Sequence, residues 1–533
     1  MKLMKTLLAA TAMTAAMGGA AYAQTLVYCS EGSPEGFDPA PYTAGTTFDA
    51  SSRPLYNRLV QFERGTSQVG EGLGLAESWE VSEDGTQYTF KLKPGIKFHS
   101  TDYFTPTREL NADDVVFSFA RQNDPDHPWH EYTSGITWEY FNSMSMPDLI
   151  ESIEKVDDMT VRFNLTRPEA PFIANMAMDF ASILSKEYAD QLEAAGTMEL
   201  LNQQPIGTGP FQFVDYQQDA AIRYQAFEDY WGEVPEIENL VYSITIEPSV
   251  RTQKLLAGEC HIMPYPNPAD VAMLQDNADI TVMEQQGLNV GYLAYNTQME
   301  PFDDPQVRKA LNMAINKEAI LEAVFEGAGQ AAKNPIPPTM WSYNDDIEDD
   351  PYDPEAARQM LADAGVENLT MNIWAMPVSR PYNPNARRMA ELIQADFAEI
   401  GVDAEIVSYE WGEYLERSSA VDRDGAVLLG WTGDNGDPDN FLAVLLGCDA
   451  VGSANRAQWC NEEFDELIQA AKVTADQDER AELYRQAQVV FKEQAPWATI
   501  AHSVVFMPMR NEVQGYVMDP RGAHEFDNVT LAE

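Results

Sequence analysis

The chain has 533 residues, of which 44% are apolar and 11% aromatic, so it can bury large cores and is not a disordered protein. Its formal net charge of −51 argues against a protein that binds nucleic acids or anionic membrane surfaces, because a negative field repels both. A single core rarely grows to this size, so we predict two or three domains or lobes.

The N-terminus has the pattern of a secretory signal. Lys2 and Lys5 precede a short apolar stretch, and Ala21-Tyr22-Ala23 is a small-x-small cleavage site. We predict that residues 1–23 are a signal peptide and that Gln24 begins the mature chain. No later run of about 18 or more uncharged apolar residues follows, so we expect a soluble exported protein.

The cysteine count favours two disulfides. The chain has Cys29, Cys260, Cys448 and Cys460, and an even number in an exported protein is typical of paired cysteines. Three pairings are possible. The short separation favours Cys448 with Cys460, which leaves Cys29 with Cys260.

The first half of the chain mixes strands and helices. Residues 77–98 predict a β-hairpin, and Asn111 is a typical N-cap for a helix that begins with acidic residues. Residues 287–296, GLNVGYLAYN, predict an apolar strand. The spacing of apolar residues across 303–325 predicts a helix.

From Leu369 onward the pattern becomes strand–helix–strand. An alternation of this kind predicts a parallel sheet with right-handed crossovers. The predicted strands lie in 369–377, 402–411 and 425–433, and the predicted helices in 383–401 and 412–419.

Most chemical motifs fail on inspection. In GWTGDNGDPDNF, residues 430–441, a calcium loop counted from Asp434 would place Gly436, Asp439 and Leu445 at its third, sixth and twelfth positions, and none of these fits an EF-hand. A calcium site of another kind stays open as an alternative. The chain has no Gly-x-Ser-x-Gly elbow, His-Glu-x-x-His or phosphate-binding loop and only six histidines, so no catalytic residue is predicted.

Two loops of opposite charge follow two strands of the predicted sheet. SRPYNPNARR, residues 379–388, offers Arg380, whose planar fork suits a carboxylate, and GDNGDPDN, residues 433–440, offers Asp434, which suits an ammonium group. Ligands of open α/β sheets bind at this edge, so we expect the two side chains to lie together. They would fit a short zwitterion, since two residues of extended peptide span roughly 7 Å. A surface arginine before a turn is the alternative interpretation of Arg380. The flanking residues with aromatic or small side chains are Tyr382, Trp411, Trp431, Thr432 and Gly433.

Taken together, these segments resemble the periplasmic dipeptide-binding proteins of bacterial ABC importers, within the wider solute-binding protein family 5. The similarity runs from about Leu26 to the C-terminus. The segments that carry it are YCSEGSPEGFDP, RELNADDVVFSF, PIGTGPFQ, GLNVGYLAYN, RPYNPNARRMAE, YEWGEYL and GWTGDNGDPDNF.

The resemblance implies roles for individual residues. Asp434 would pair with the α-amino group of a bound peptide and Arg380 with its C-terminal carboxylate. The residues matching neighbours that line the peptide are Thr43, Pro381, Tyr382, Trp431, Thr432 and Gly433. The disulfides implied by the resemblance are the pairs favoured above.

The fold implied is α/β, a two-lobed periplasmic-binding-protein fold of type II, cluster C, with an extra subdomain in lobe I. Lobe I would comprise 24–288 and the returning segment 499–533, with the subdomain at about 57–206, and lobe II would comprise 289–498. The two connecting strands would cross near Val290–Tyr295 and Pro496–Ser503.

The function implied is capture of dipeptides in the periplasm and delivery to the membrane subunits of an ABC permease. We expect no catalysis, no cofactor or metal, no nucleic-acid partner, and a monomer. The alternatives are a receptor for longer peptides, haem or a metal chelate and, outside the class, an exported peptidase.

Overall fold

The computed structural model describes residues 24–133 and 135–532. The predicted signal peptide, residues 1–23, lies outside the described residues. Among the residues described, no helix is both long and apolar enough to span a membrane.

The strands form three larger sheets and two small pairs. One four-stranded sheet has the order Thr25–Tyr28, Asn239–Ser243, Ala221–Ala226, Phe211–Gln217, and another has the order Ala76–Val81, Gln87–Leu92, Thr160–Leu165, Ile150–Asp157. The third sheet has the order Ile280–Gln286, Trp497–Arg510, Asn289–Tyr295, Ala426–Thr432, Thr370–Trp374, Asp403–Val407, with Gly329–Ala331 beside Trp497–Arg510. The small pairs are Gln61–Phe62 with Val69–Gly70 and Val513–Gln514 with Thr530–Leu531.

Helices connect many of the strands of these sheets. The α-helices span Gly45–Ala50, Ser52–Leu55, Ala112–Asn123, Glu139–Ser143, Met146–Leu149, Phe172–Asn175, Lys186–Ala195, Pro248–Ala257, Pro268–Gln275, Pro305–Ala314, Lys317–Ile320, Pro354–Asp363, Ala386–Glu399, Trp411–Ser419, Asp439–Leu446, Glu462–Val473 and Gln477–Gln494. Short turns of other helical types span Asp179–Ala181, Met198–Asn202, Leu321–Phe325 and Cys448–Ala450.

Local capping explains where two predicted helices begin and end. Asn111 caps the helix Ala112–Asn123 as predicted, because its side chain accepts a hydrogen bond from the backbone of Asp113. The single helix predicted across 303–325 is wrong. It ends at Ala314, and the side chain of Asn316 starts a new turn by accepting a hydrogen bond from the backbone of Ala319 at 3.0 Å.

The predicted parallel sheet is confirmed. Thr370–Trp374 pairs in parallel with Asp403–Val407 and with Ala426–Thr432, and Ala386–Glu399 and Trp411–Ser419 are the helices of the two crossovers. We call the part of the chain built around these three strands lobe II, and the part built around the two four-stranded sheets lobe I.

One long strand joins the two lobes. The first half of Trp497–Arg510 pairs with Asn289–Tyr295. That strand in turn pairs with Ala426–Thr432, one of the parallel strands of lobe II. The second half of Trp497–Arg510 pairs with Ile280–Gln286. The change of partner falls between Ala501 and Val504, opposite the short link at 287–288.

Both predicted disulfides are present. Cys29 pairs with Cys260 at a Cα–Cα distance of 5.8 Å and Cys448 with Cys460 at 4.5 Å. The first bond lies in a small apolar core with Leu255, where it ties the first strand of lobe I to a segment more than two hundred residues away.

Candidate functional site

The two charged loops reach one cavity between the lobes. Arg380 follows the strand Thr370–Trp374, and Asp434 follows Ala426–Thr432, so both loops leave the sheet at the carboxyl ends of neighbouring parallel strands. Lobe I contributes Thr43, Ala44, Gly45, Arg53, Tyr140, Tyr265, Arg521 and Gly522; lobe II contributes Tyr292, Arg380, Pro381, Tyr382, Trp411, Leu415, Leu429, Gly430, Trp431, Thr432, Asp434, Ala454 and Arg456.

Eight of the nine predicted binding residues line this cavity, and the ninth, Gly433, does not. That each of the eight contacts a ligand stays a prediction. The backbone N–H of Gly433 donates to the carbonyl of Leu288 at 2.7 Å, and a Cβ there would lie 2.6 Å from the ring of Phe441. This close packing accounts for glycine at the position without any ligand contact.

Arg380 is buried beside a resident carboxylate. Its Nη1 donates to Oε1 of Glu31 at 2.6 Å, and both side chains are less than 10% exposed. Burial by itself lowers the pKa of Arg380, but the effects of Glu31, Tyr265 and Tyr382 together outweigh burial and the pKa is raised. The guanidinium therefore stays charged at any pH of interest.

Two aromatic rings and a glycine lie around the guanidinium of Arg380. Its central carbon lies 5.7 Å from the ring centre of Tyr265 and 5.9 Å from that of Trp411. A Cβ on Gly45 would lie 3.0 Å from Nη2, so the absence of a side chain there lets the fork approach the backbone of lobe I.

Asp434 has a different environment. The hydroxyl of Tyr140 donates to its Oδ2 at 2.6 Å, and no cation among the described residues lies within ion-pairing distance of it. Burial raises the pKa of Asp434 to about 7, although the hydrogen bond from Tyr140 works in the opposite direction. A cation brought to this carboxylate would lower the pKa again.

Asn440 sets the shape of the Asp434 loop. Its Oδ1 accepts from the backbone N–H of Asp434 at 2.8 Å and from Nε1 of Trp431 at 2.9 Å. Asp437 accepts a hydrogen bond from the backbone N–H of Asp439, the first residue of the next helix, at 3.0 Å. Within the described ranges, no group of three or more His, Cys, Asp or Glu side chains is placed to hold a metal ion.

Sequence reasoning missed several residues in or next to this cavity. Glu31 lies within YCSEGSPEGFDP, a segment that carries the family resemblance but indicates no role for the glutamate. Tyr140 is 294 residues from Asp434, and nothing in its local sequence indicates the contact. Arg456 was also missed, because a single arginine in a loop carries no spacing signal.

Comparison with known proteins places the chain in a family. The profile of the bacterial extracellular solute-binding proteins, family 5, matches residues 72–453. The chain belongs to this family. Members of family 5 are binding receptors rather than enzymes, so the chain is a solute-binding protein.

Individual relatives agree over nearly the whole length. The dipeptide-binding protein of Escherichia coli K12 is 59% identical over 526 residues, which is 98% of this chain and 97% of that protein. Among solved structures, a dipeptide-binding protein from Pseudoalteromonas sp. SM9913 in complex with Met-Leu is 43% identical, with a TM-score of 0.92 over 96% of this chain and all of that chain. An ABC transporter-associated periplasmic binding protein from Helicobacter pylori in complex with the peptide STSA is 37% identical, with a TM-score of 0.91 over 96% of this chain and 98% of that chain. These similarities confirm the α/β two-lobed fold, whereas the exact lobe boundaries stay predictions.

Proposed function

We propose that this solute-binding protein is a periplasmic receptor that captures dipeptides and delivers them to the membrane subunits of an ABC importer. The observation that carries the proposal is the pair Arg380 and Asp434, which line one cavity with opposite charges. The names of the relatives in Escherichia coli and Pseudoalteromonas support the same ligand class, and the Helicobacter relative supports the periplasm and the transporter.

The binding mechanism follows from the two charges. The ammonium group of a dipeptide pairs with Asp434, and its carboxylate takes the donors of Arg380 that Glu31 does not use. Because Glu31 and Tyr140 belong to lobe I, both binding side chains reach complete surroundings only when the lobes are together. Closure is then favoured by contacts that exist in the closed arrangement alone.

Broad side-chain specificity is expected for such a receptor. Most of the affinity would come from the two termini, which every dipeptide has, and ordered water can fill the space that a small side chain leaves. A fixed spacing of charges would still exclude single amino acids, whose termini are too close together.

Calorimetry with Ala-Ala tests the proposal. We expect Asp434→Asn to abolish measurable binding and Arg380→Met to weaken binding severely, while the thermal melting curve of each stays cooperative. The matched controls are Asp422→Asn and Arg387→Met, which change the same residue types at exposed positions outside the cavity. Unchanged affinity in both cavity variants would rule out recognition through the termini.

A receptor for longer peptides is the second candidate, since the Helicobacter relative was solved with a four-residue peptide. Competition of Ala-Ala-Ala against Ala-Ala separates the two. A tripeptide that binds as tightly as the dipeptide would favour the longer-peptide receptor.

A separate experiment tests the peptidase alternative. Incubation with Ala-Ala followed by amine detection should show no new amine, and release of alanine would indicate a peptidase.

A further inference from the structure

The cavity contains a second arginine that the terminal charges of a dipeptide do not require. Arg456 lines the cavity from lobe II and is only 3% exposed. Its Nη1 donates to the backbone carbonyl of Ser453, and its Nη2 lies 3.8 Å from Oε1 of Glu139. Its buried Nε has no hydrogen-bond partner in the part of the chain that the structure describes.

The ion pair with Glu139 is loose and shared. A distance of 3.8 Å is too long for a charge-assisted hydrogen bond. Oε2 of the same carboxylate accepts from the hydroxyl of Thr43 at 3.0 Å, and Thr43 lines the cavity whereas Glu139 does not. Arg456 therefore lines the ligand space with an unused N–H and a loose ion pair, whereas its counter-ion does not line the cavity.

A second carboxyl group near this pair adds little negative charge at neutral pH. Burial raises the pKa of Glu35 to about 8, and the charge of Glu139 contributes to the rise. The hydrogen bond that Glu35 accepts from Thr47 favours the ionised form, but burial outweighs it, so Glu35 is mostly protonated at pH 7.

A second cation lies nearby, since the buried side chain of Arg423 donates to the backbone carbonyl of Arg456. The phenols of Tyr292 and Tyr382 lie within the electrostatic influence of Arg456, and Ala454 completes the wall beside it. A ligand side chain entering this part of the cavity thus meets a guanidinium with an unused N–H, and the charge of Arg423 adds to the positive potential there. Hydrogen bonds from guanidinium to carboxylate or amide oxygen are the contacts that such a group makes best.

We propose that Arg456 is a specificity-determining residue that favours dipeptides with an acceptor side chain, Asp, Glu, Asn or Gln, over those with a Lys or Arg side chain. This inference rests on the proposed function, because it concerns the side chain of a ligand whose termini are held by Arg380 and Asp434. Glu139 acts against Arg456, since it competes with the ligand for the same guanidinium.

Calorimetry with five ligands tests this assignment: Ala-Ala as reference, Ala-Glu and Ala-Lys, and Glu-Ala and Lys-Ala for the opposite order. In the natural protein we expect the Glu peptide to bind at least about tenfold more tightly than the Lys peptide in one of the two orders. In Arg456→Met the ratio should fall to about one. The ratio is the readout, so any general change of affinity seen with Ala-Ala cancels.

A second variant keeps the test decisive should Arg456→Met fail to fold. Glu139→Gln removes the competing charge and preserves an acceptor for Thr43, so the ratio of Glu to Lys affinity should rise above that of the natural protein. A ratio near one in the natural protein, or a ratio that neither variant changes, overturns the role of Arg456. In either case binding of Ala-Ala leaves the proposed function standing, whereas failure of the natural protein to bind any of the five peptides overturns both.

Discussion

The two ends of the cavity are built in opposite ways. At one end Arg380 already holds an internal counter-ion, Glu31, at 2.6 Å. At the other end Asp434 receives a hydrogen bond from a neutral phenol, and its pKa is raised to about 7. The protein thus supplies Arg380 with a negative counter-ion, whereas no described residue places a positive charge in contact with Asp434.

The difference predicts an unequal division of binding energy. A carboxylate arriving at Arg380 gains donors but also meets the negative charge of Glu31 nearby. An ammonium group that reaches Asp434 gives the buried carboxylate the positive counter-charge that it otherwise lacks. The amino group of the ligand should therefore contribute more to affinity than its carboxylate.

The largest effect is expected when the termini of the ligand are blocked one at a time. N-acetyl-Ala-Ala, which lacks the ammonium group, should bind at least about 100-fold more weakly than Ala-Ala, since an unpaired buried charge costs about 3 kcal/mol. Ala-Ala amide should lose less, roughly tenfold. Competition calorimetry measures both, and an equal or reversed loss would contradict the unequal division.

A second test addresses the resident counter-ion. Arg380→Met leaves Glu31 buried without its partner, so the ligand carboxylate is repelled as well as deprived of donors. We expect the double variant Arg380→Met with Glu31→Gln to regain roughly tenfold in Ala-Ala affinity over the single variant. This pair forms a thermodynamic cycle, and independent effects of the two changes would show that Glu31 does not act through Arg380.

The pH dependence of affinity should come from the Asp434 end. Without a cation its pKa is about 7, and a bound ammonium group lowers it, so binding releases a proton below pH 7. Affinity for Ala-Ala should then fall by about fivefold from pH 7 to pH 6, because the ionised fraction of Asp434 drops from about one half to about one tenth. Above pH 7 affinity should rise by at most about twofold before the amino group of the peptide itself loses its proton. Calorimetry in two buffers of different ionisation enthalpy detects the released proton, and a flat profile would mean that Asp434 is ionised throughout.

The smallest effect concerns the phenol beside Asp434. Tyr140→Phe removes a donor to the carboxylate, which raises the pKa of Asp434 further and moves the pH profile of binding upward. At pH 7 we expect affinity to drop by about fivefold, equivalent to one ordinary hydrogen bond of about 1 kcal/mol. Tyr265→Phe is the matched control at the Arg380 end and should leave the pH profile in place.

The sequence predicted the parallel sheet and the two charged loops well, for a physical reason. Apolar runs separated by an amphipathic helix identify the strands Thr370–Trp374 and Ala426–Thr432, and the carboxyl ends of parallel strands meet at one edge. Arg380 and Asp434 are therefore located by local pattern alone.

The partners of these residues could not be found in the same way. Glu31 and Tyr140 belong to the other lobe and meet the two loops only through tertiary packing, across 349 and 294 residues of chain. The apolar spacing also predicted one continuous helix across 303–325, but the capping side chain of Asn316 interrupts it.

Both charged loops are hydrogen-bonded to the region where the long strand changes its partner. The hydroxyl of Ser503 donates to the carbonyl of Pro381 at 2.6 Å, and Gly433 donates to Leu288 at 2.7 Å. Arg380 and Asp434 also follow neighbouring strands of one sheet, so both charges belong to lobe II. We therefore expect lobe II by itself to select ligands by length, whether or not lobe I has closed over them.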